Sequence, residues 1–104
     1  MNHKAINVSQ DYTRFPAGRY VSDGRFSGER FRNDFLIPAL KAAGKVEVQF
    51  DGTLGPGSSF LEEAFGGLLR EGFNSGDLAE RLVVSSSDES LVAEVRQYLG
   101  VLLH

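Results

Sequence analysis

Residues 45–72, KVEVQFDGTLGPGSSFLEEAFGGLLREG, decide the fold because they read as strand, glycine-rich loop and helix in succession. Val46, Val48 and Phe50 alternate with Lys45, Glu47 and Gln49, the period of a strand that buries one face and wets the other. The glycines and Pro56 of Asp51–Gly57 cannot prolong it, since they favour turn angles and remove a ladder donor. Ser59 then predicts a helix N-cap, with Glu62 three residues on to complete a capping box. Phe60, Leu61, Ala64, Phe65, Leu68 and Leu69 recur at helical spacing, and Gly72 is placed to close the helix as its C′ residue. The pair Gly66-Gly67 lies inside that helix at a cost of roughly 1 kcal/mol per glycine against alanine, which predicts close approach of another backbone. Ser58 stands just before the first turn, where free amides and the helix dipole favour an anion.

Outward from this unit, Lys4 to Val8 reads as a short strand with Ile6 and Val8 on one side. Phe15-Pro16-Ala17-Gly18 marks a turn, and Arg19-Tyr20-Val21 reads as a second short extended segment that ends at Ser22-Asp23-Gly24. Ser27 can cap a helix with Glu29 in its first turn, an inner face of Phe31, Phe35 and Leu40, and Gly44 as its stop. Pro38 lacks an amide donor and crowds the preceding turn, so the segment is either kinked near Asp34 or split into two helices. Beyond the central unit come a loop at Asn74–Asp77 and a continuous apolar strand, Leu82-Val83-Val84. A last helix has a Ser86–Glu89 capping box and a stripe of Leu91, Val92, Val95, Tyr98, Leu99 and Leu102. Strands separated by amphipathic helices imply an α/β fold: a mixed, mainly parallel sheet of about four strands, with helices chiefly on one face because the central strand keeps Glu47 and Gln49.

The 104 residues, 41% hydrophobic and 24% charged, predict one domain over 1–104. No cysteine is present, which excludes disulfides and fits a reducing cytoplasm, and no apolar run approaches the roughly 20 residues of a membrane span. A cytoplasmic protein with no membrane partner is expected. The net charge of −3 hides an asymmetry, since eight of the eleven Lys/Arg lie in residues 1–46 and ten of the fourteen Asp/Glu lie in residues 47–104. An acidic chain without a basic and aromatic repeat is not expected to bind nucleic acid.

Enzyme chemistry is poorly supplied, and no catalytic residue, metal site or cofactor is assigned. The two histidines, His3 and His104, lie near the chain ends, and there is no cysteine nucleophile. Asp51, Glu62 and Glu63 are close in sequence, but adjacent helical positions point apart. Gly52-x-x-x-x-Gly57-Ser58-Ser59 lies where a Walker loop would, with Ser58 in place of the required lysine. An anion pocket formed by Arg19, Arg25 and the amides at Ser27-Gly28, with Glu29 orienting an arginine, is a candidate, although Arg25 can equally pair with Asp23 and hold the loop.

Three segments carry a family resemblance: Phe15-Pro16-x-Gly18-Arg19-Tyr20, Asp23-Gly24-x-x-Ser27-Gly28-Glu29-x-Phe31-Arg32, and Ser58 through Gly66. Through them the chain resembles the STAS-like domains of unknown function, similar in fold to anti-sigma-factor antagonists. In those antagonists the helix after a central strand opens with a serine that a partner of the histidine-kinase-like ATPase fold phosphorylates. Ser58-Ser59 occupies the comparable place, with Gly57 where the acid would be and Phe60 where the glycine would be. The resemblance therefore implies a regulatory protein-binding module, with Ser58 or Ser59 as the modified residue. Gly57, Ser58, Ser59, Phe60 and Glu63 would form its surface for a kinase or ATPase partner, self-association being a further possibility. The alternative is a small-ligand or nucleotide (phosphate) binding domain without catalysis.

Overall fold

The computed structural model describes residues 2–100. Its frame is a three-stranded, wholly parallel sheet in the order β1-β2-β3: β1 His3–Asn7, β2 Lys45–Gln49 and β3 Leu82–Ser85. Ile6 is in register with Val48, and Val48 with Val84. Ile6, Val46, Val48 and Leu82 are buried on the face that the helices cover. The opposite face runs Ala5, Glu47, Val83 in one row and Asn7, Gln49, Ser85 in the next, none of them buried. This α/β frame, with helices on one face, agrees with the alternation read in β2. Leu82-Val83-Val84 is not buried throughout, as its apolar run implied, because Val83 points to the open face and is 47% exposed.

The expected fourth strand is missing. Val21–Asp23 forms a short 3₁₀ turn, and carboxylates take the donors a ladder would have used. Tyr20 N donates to Asp23 Oδ2 at 2.9 Å and Val21 N to Glu29 Oε1 at 2.9 Å.

Helix α1 (28–42) crosses from β1 to β2 and is capped by Ser27, whose hydroxyl accepts from Arg30 N. It neither breaks nor splits at Pro38; instead its middle, Arg32–Leu36, is wound as a π-helix and Ile37–Ala42 resumes the α form. The wider turn comes just before the residue that lacks a donor, which is how a helix accommodates a proline without ending.

Helix α2 (58–70) leads toward β3 and also has a π-helical middle, Glu62–Gly66. It ends as its glycine predicts. Gly72, at φ +100°, donates to Leu69 O at 3.1 Å while Phe73 N donates to Leu68 O at 3.0 Å, the pair of bonds that defines a Schellman stop. Helix α3 (Ser75–Arg81) runs straight into β3, and α4 (Glu89–Tyr98) follows it. The cap of α4 is Asp88, accepting from Ser90 N and Leu91 N, rather than Ser86, whose hydroxyl accepts from Asp88 N. Leu91, Val95 and Leu99 are buried along α4. Leu102 and His104 lie outside the described residues.

The core joins α1, α2 and the sheet through Phe31, Leu36, Phe50, Phe60, Phe65 and Leu68. Tyr12 extends it beneath the loop after β1, its ring 5.1–5.4 Å from those of Phe26, Phe31 and Phe35. Its hydroxyl donates to Ser27 O at 2.9 Å, and burial pushes its pKa up to about 12. Among the described residues, no helix is long and apolar enough to cross a membrane.

Candidate functional site at the carboxyl ends of the strands

Parallel strands joined by helices bring their following loops to one end of the sheet, the end where open α/β sheets bind their ligands. Here that end is made of the loop between β1 and α1, the Asp51–Gly57 loop, and Ser86–Asp88. The Asp51–Gly57 loop is held from both sides. Leu54 N donates to Arg14 O at 2.8 Å, and Asp51 Oδ1 accepts from Ser87 N at 2.7 Å and from Ser87 Oγ at 2.9 Å. Those bonds, the Ser87 amide foremost and then Gln49, hold the Asp51 carboxyl down at about 2. Gly52, at φ +95°, also passes close to Ser9; a Cβ there would lie 2.7 Å from the Ser9 hydroxyl.

The loop delivers the chain to Ser58, the first residue of α2. The N-cap is Gly57 rather than Ser59, and it supplies no side-chain acceptor to the first turn. Glu62 does not close a box with Ser59, because Arg19 and Arg70 hold both its oxygens. Gly57, Ser58 and Ser59 are all exposed. Behind Ser58 stands Tyr98 of α4, whose phenol is pushed up chiefly by its hydrogen bond to Glu94, with the Ser58 side chain acting in the opposite direction.

Two residues expected on this surface lie inside. Phe60 has no exposure and Glu63 has 7%. Phe60 packs its ring 5.9 Å from that of Phe31. Glu63 Oε2 is 2.7 Å from Arg32 Nη1, which also donates to Glu63 O at 2.7 Å. Arg32 is itself 6% exposed, so this is a buried ion pair between the π-helical middles of α1 and α2. Arg19 and Arg70 extend it outward through Glu62 and the second Glu63 oxygen. The glycine pair makes room for this network. A Cβ on Gly67 would fall 2.2 Å from Arg32 Nη1, so the close neighbour is a guanidinium rather than the expected backbone. Counting apolar residues alone hid Arg32, although it stands beside Phe31 and three and four residues before Phe35 and Leu36.

The anion pocket does not assemble. Ser27 and Gly28 are buried, the Ser27 hydroxyl caps α1, and Gly28 N donates to Gly18 O at 3.0 Å. Arg19 is paired with Glu62, and Glu29 receives the Val21 amide instead of an arginine. Nor does Arg25 pair with Asp23: its guanidinium lies 5.5 Å from the Phe26 ring centroid. Backbone contact of the kind expected at Gly66-Gly67 occurs at Gly28, where a Cβ would lie 2.4 Å from Phe60 O. Among the described residues, no three His, Asp or Glu side chains are placed to hold a metal ion.

Comparison with curated proteins and with solved structures finds no match. A family model described as a STAS-like domain of unknown function matches residues 27–91, from the cap of α1 to the first turn of α4. That span contains both π-bulged helices, β2, β3 and the Ser58 corner, and the chain belongs to the family of STAS-like domains of unknown function.

Proposed function

We propose that the protein is a non-enzymatic, cytoplasmic regulatory module that binds a protein partner through the Gly57–Ser59 corner. In this reading, phosphorylation of Ser58 by a partner of the histidine-kinase-like ATPase fold switches the association. The observation that carries the reading is the exposure of Ser58 at the start of a thirteen-residue helix whose N-cap has no side chain. A kinase can reach such a hydroxyl, and the first-turn amides favour the product. A phosphoryl group there would bring about two negative charges to the neighbourhood of Tyr98 and Glu94, changing the charge of the corner and the support it receives from α4. Intact-mass measurement after coexpression with each candidate kinase tests the switch. The wild type gains one phosphoryl group and Ser58→Ala gains none; a wild type left unmodified by every candidate counts against it. The second reading, a small phosphorylated ligand at the same uncapped turn, predicts instead a melting temperature that rises with ligand excess.

A further inference from the structure

Four of the five large apolar side chains exposed among the described residues, Phe15, Tyr20, Val21 and Leu54, lie in the two loops at this same end. Each is at least half exposed, and Leu54 is joined to the Phe15 segment by the hydrogen bond from its amide to Arg14 O. Single exposed apolar residues are ordinary on any surface, but their concentration at one end is the mark of an interaction site.

The charged groups around them are unequally engaged. Asp11 accepts from Asn7 N, Asp23 from Tyr20 N, Glu29 from Val21 N and Asp51 from the Ser86–Ser87 turn. The Arg14 and Arg25 guanidinia, by contrast, have no carboxylate within 4.0 Å among the described residues and lie 6.0 and 5.5 Å from the ring centroids of Phe15 and Phe26. The hydrogen-bonding capacity left over at this end is thus mainly guanidinium N–H, which suits carboxylates, and arginine beside exposed aromatic rings is a combination enriched where interfaces hold their binding energy, with Leu54 adding apolar area.

We propose that the partner presents an acidic segment with an apolar anchor. Phe15 and Leu54 take the anchor, while Arg14 and Arg25 receive its carboxylates. This rests on reading the corner as a docking surface and adds the chemistry of what docks.

The test is an NMR titration of the whole ¹⁵N-labelled chain with two synthetic peptides that share one Phe and one Leu and carry Glu or Lys at every other position. A single-stranded oligothymidylate is run in parallel. The Glu peptide shifts the amides of Arg14, Phe15 and Leu54, and the Lys peptide binds weaker by about tenfold or more. Phe15→Ser with Leu54→Ser weakens the Glu peptide by a similar factor, and Arg14→Glu with Arg25→Glu reverses the preference. All four positions are exposed, so an unchanged melting temperature certifies the fold. Equal binding of the two peptides, no binding, shifts centred elsewhere, tighter binding of the oligonucleotide, or self-association of the free chain through these residues would each overturn the proposal. The intact mass of the wild-type chain after coexpression with the kinase is read separately, so that failure of the peptide to bind and failure of Ser58 to be modified are distinct results. Loss of peptide binding with phosphorylation intact therefore removes the docking chemistry alone, and the converse removes the switch alone.

Discussion

At Gly28 the absence of one methyl group determines how closely two helices meet. A Cβ there would fall 2.4 Å from Phe60 O and 3.1 Å from Ala64 N, and backbone cannot step aside as a side-chain tip can. Gly28→Ala should lower the stability by about 1–3 kcal/mol, the usual cost of overpacking, seen as an earlier urea midpoint with an unchanged slope. Asp51 makes a prediction of different form. Its carboxyl is held at about 2, below the ordinary value of 3.8, so its contribution to folding is complete above the unfolded-state pKa and is lost as pH falls through about 2. Asp51→Asn should therefore flatten the acid side of the stability–pH curve between about pH 4 and 2, read by urea melts across that range. At this scale the sequence was legible where one local rule decides, as at Ser27, Gly72 and the alternating residues of β2. It was not legible at Phe60 and Glu63. Their exposure depends on where α1 lies, and no local rule carries that information.

Among the elements, α1 and α2 each widen into a π-helix at the point where they face one another, and Arg32–Glu63 joins them there. Taking two charges out of water is costly, so a buried pair adds little beyond what apolar packing would, whereas removing one partner strands the other. Glu63→Ala is expected to cost about 3–5 kcal/mol, and Arg32→Met combined with Glu63→Leu to recover most of that loss; a double-mutant cycle by chemical denaturation checks both. Arg81 plays a comparable part on the other side. From the end of α3 it donates to the carbonyl oxygens of Leu40, Ala43 and Gly44 and so closes the C-terminus of α1. Arg81→Ala should cost about 2 kcal/mol in the same assay, because the donor is charged and several carbonyl groups lose it together. The proline at position 38 announced an irregularity in α1. Whether a helix kinks, splits or widens depends on what its neighbour can pack against, and the neighbour here brings a carboxylate. The absent strand has the same kind of cause. Arg19–Val21 has extended character in sequence, but Asp23 and Glu29 satisfy its donors before a sheet edge can.

For the molecule as a whole, two crossovers and a parallel sheet place the loops after β1, β2 and β3 at one end, which gathers Ser58, Arg14, Phe15 and Leu54 from distant parts of the chain. The order of the three strands and of α1, α2 and α4 was readable from alternating periodicities, whereas α3 stands where a loop was expected at Asn74–Asp77, because the Asn74 side chain accepts from Asp77 N and caps a helix there. The surface that results was only half readable, because Ser58-Ser59 announces itself beside a glycine-rich loop, whereas Phe15 and Leu54 look like ordinary apolar residues until the fold leaves them outside. The central claim is that this end of the molecule is where a partner is held and released. Calorimetric titration of the ATPase or kinase that recognises the chain, against wild type, Ser58→Glu and Lys41→Ala, tests it most directly. Ser58→Glu should change the affinity by about tenfold or more, roughly 1.4 kcal/mol, while Lys41→Ala in the last turn of α1, at the opposite end of the sheet, leaves it unaltered. Equal affinities for all three proteins, or a loss confined to Lys41→Ala, would contradict the account.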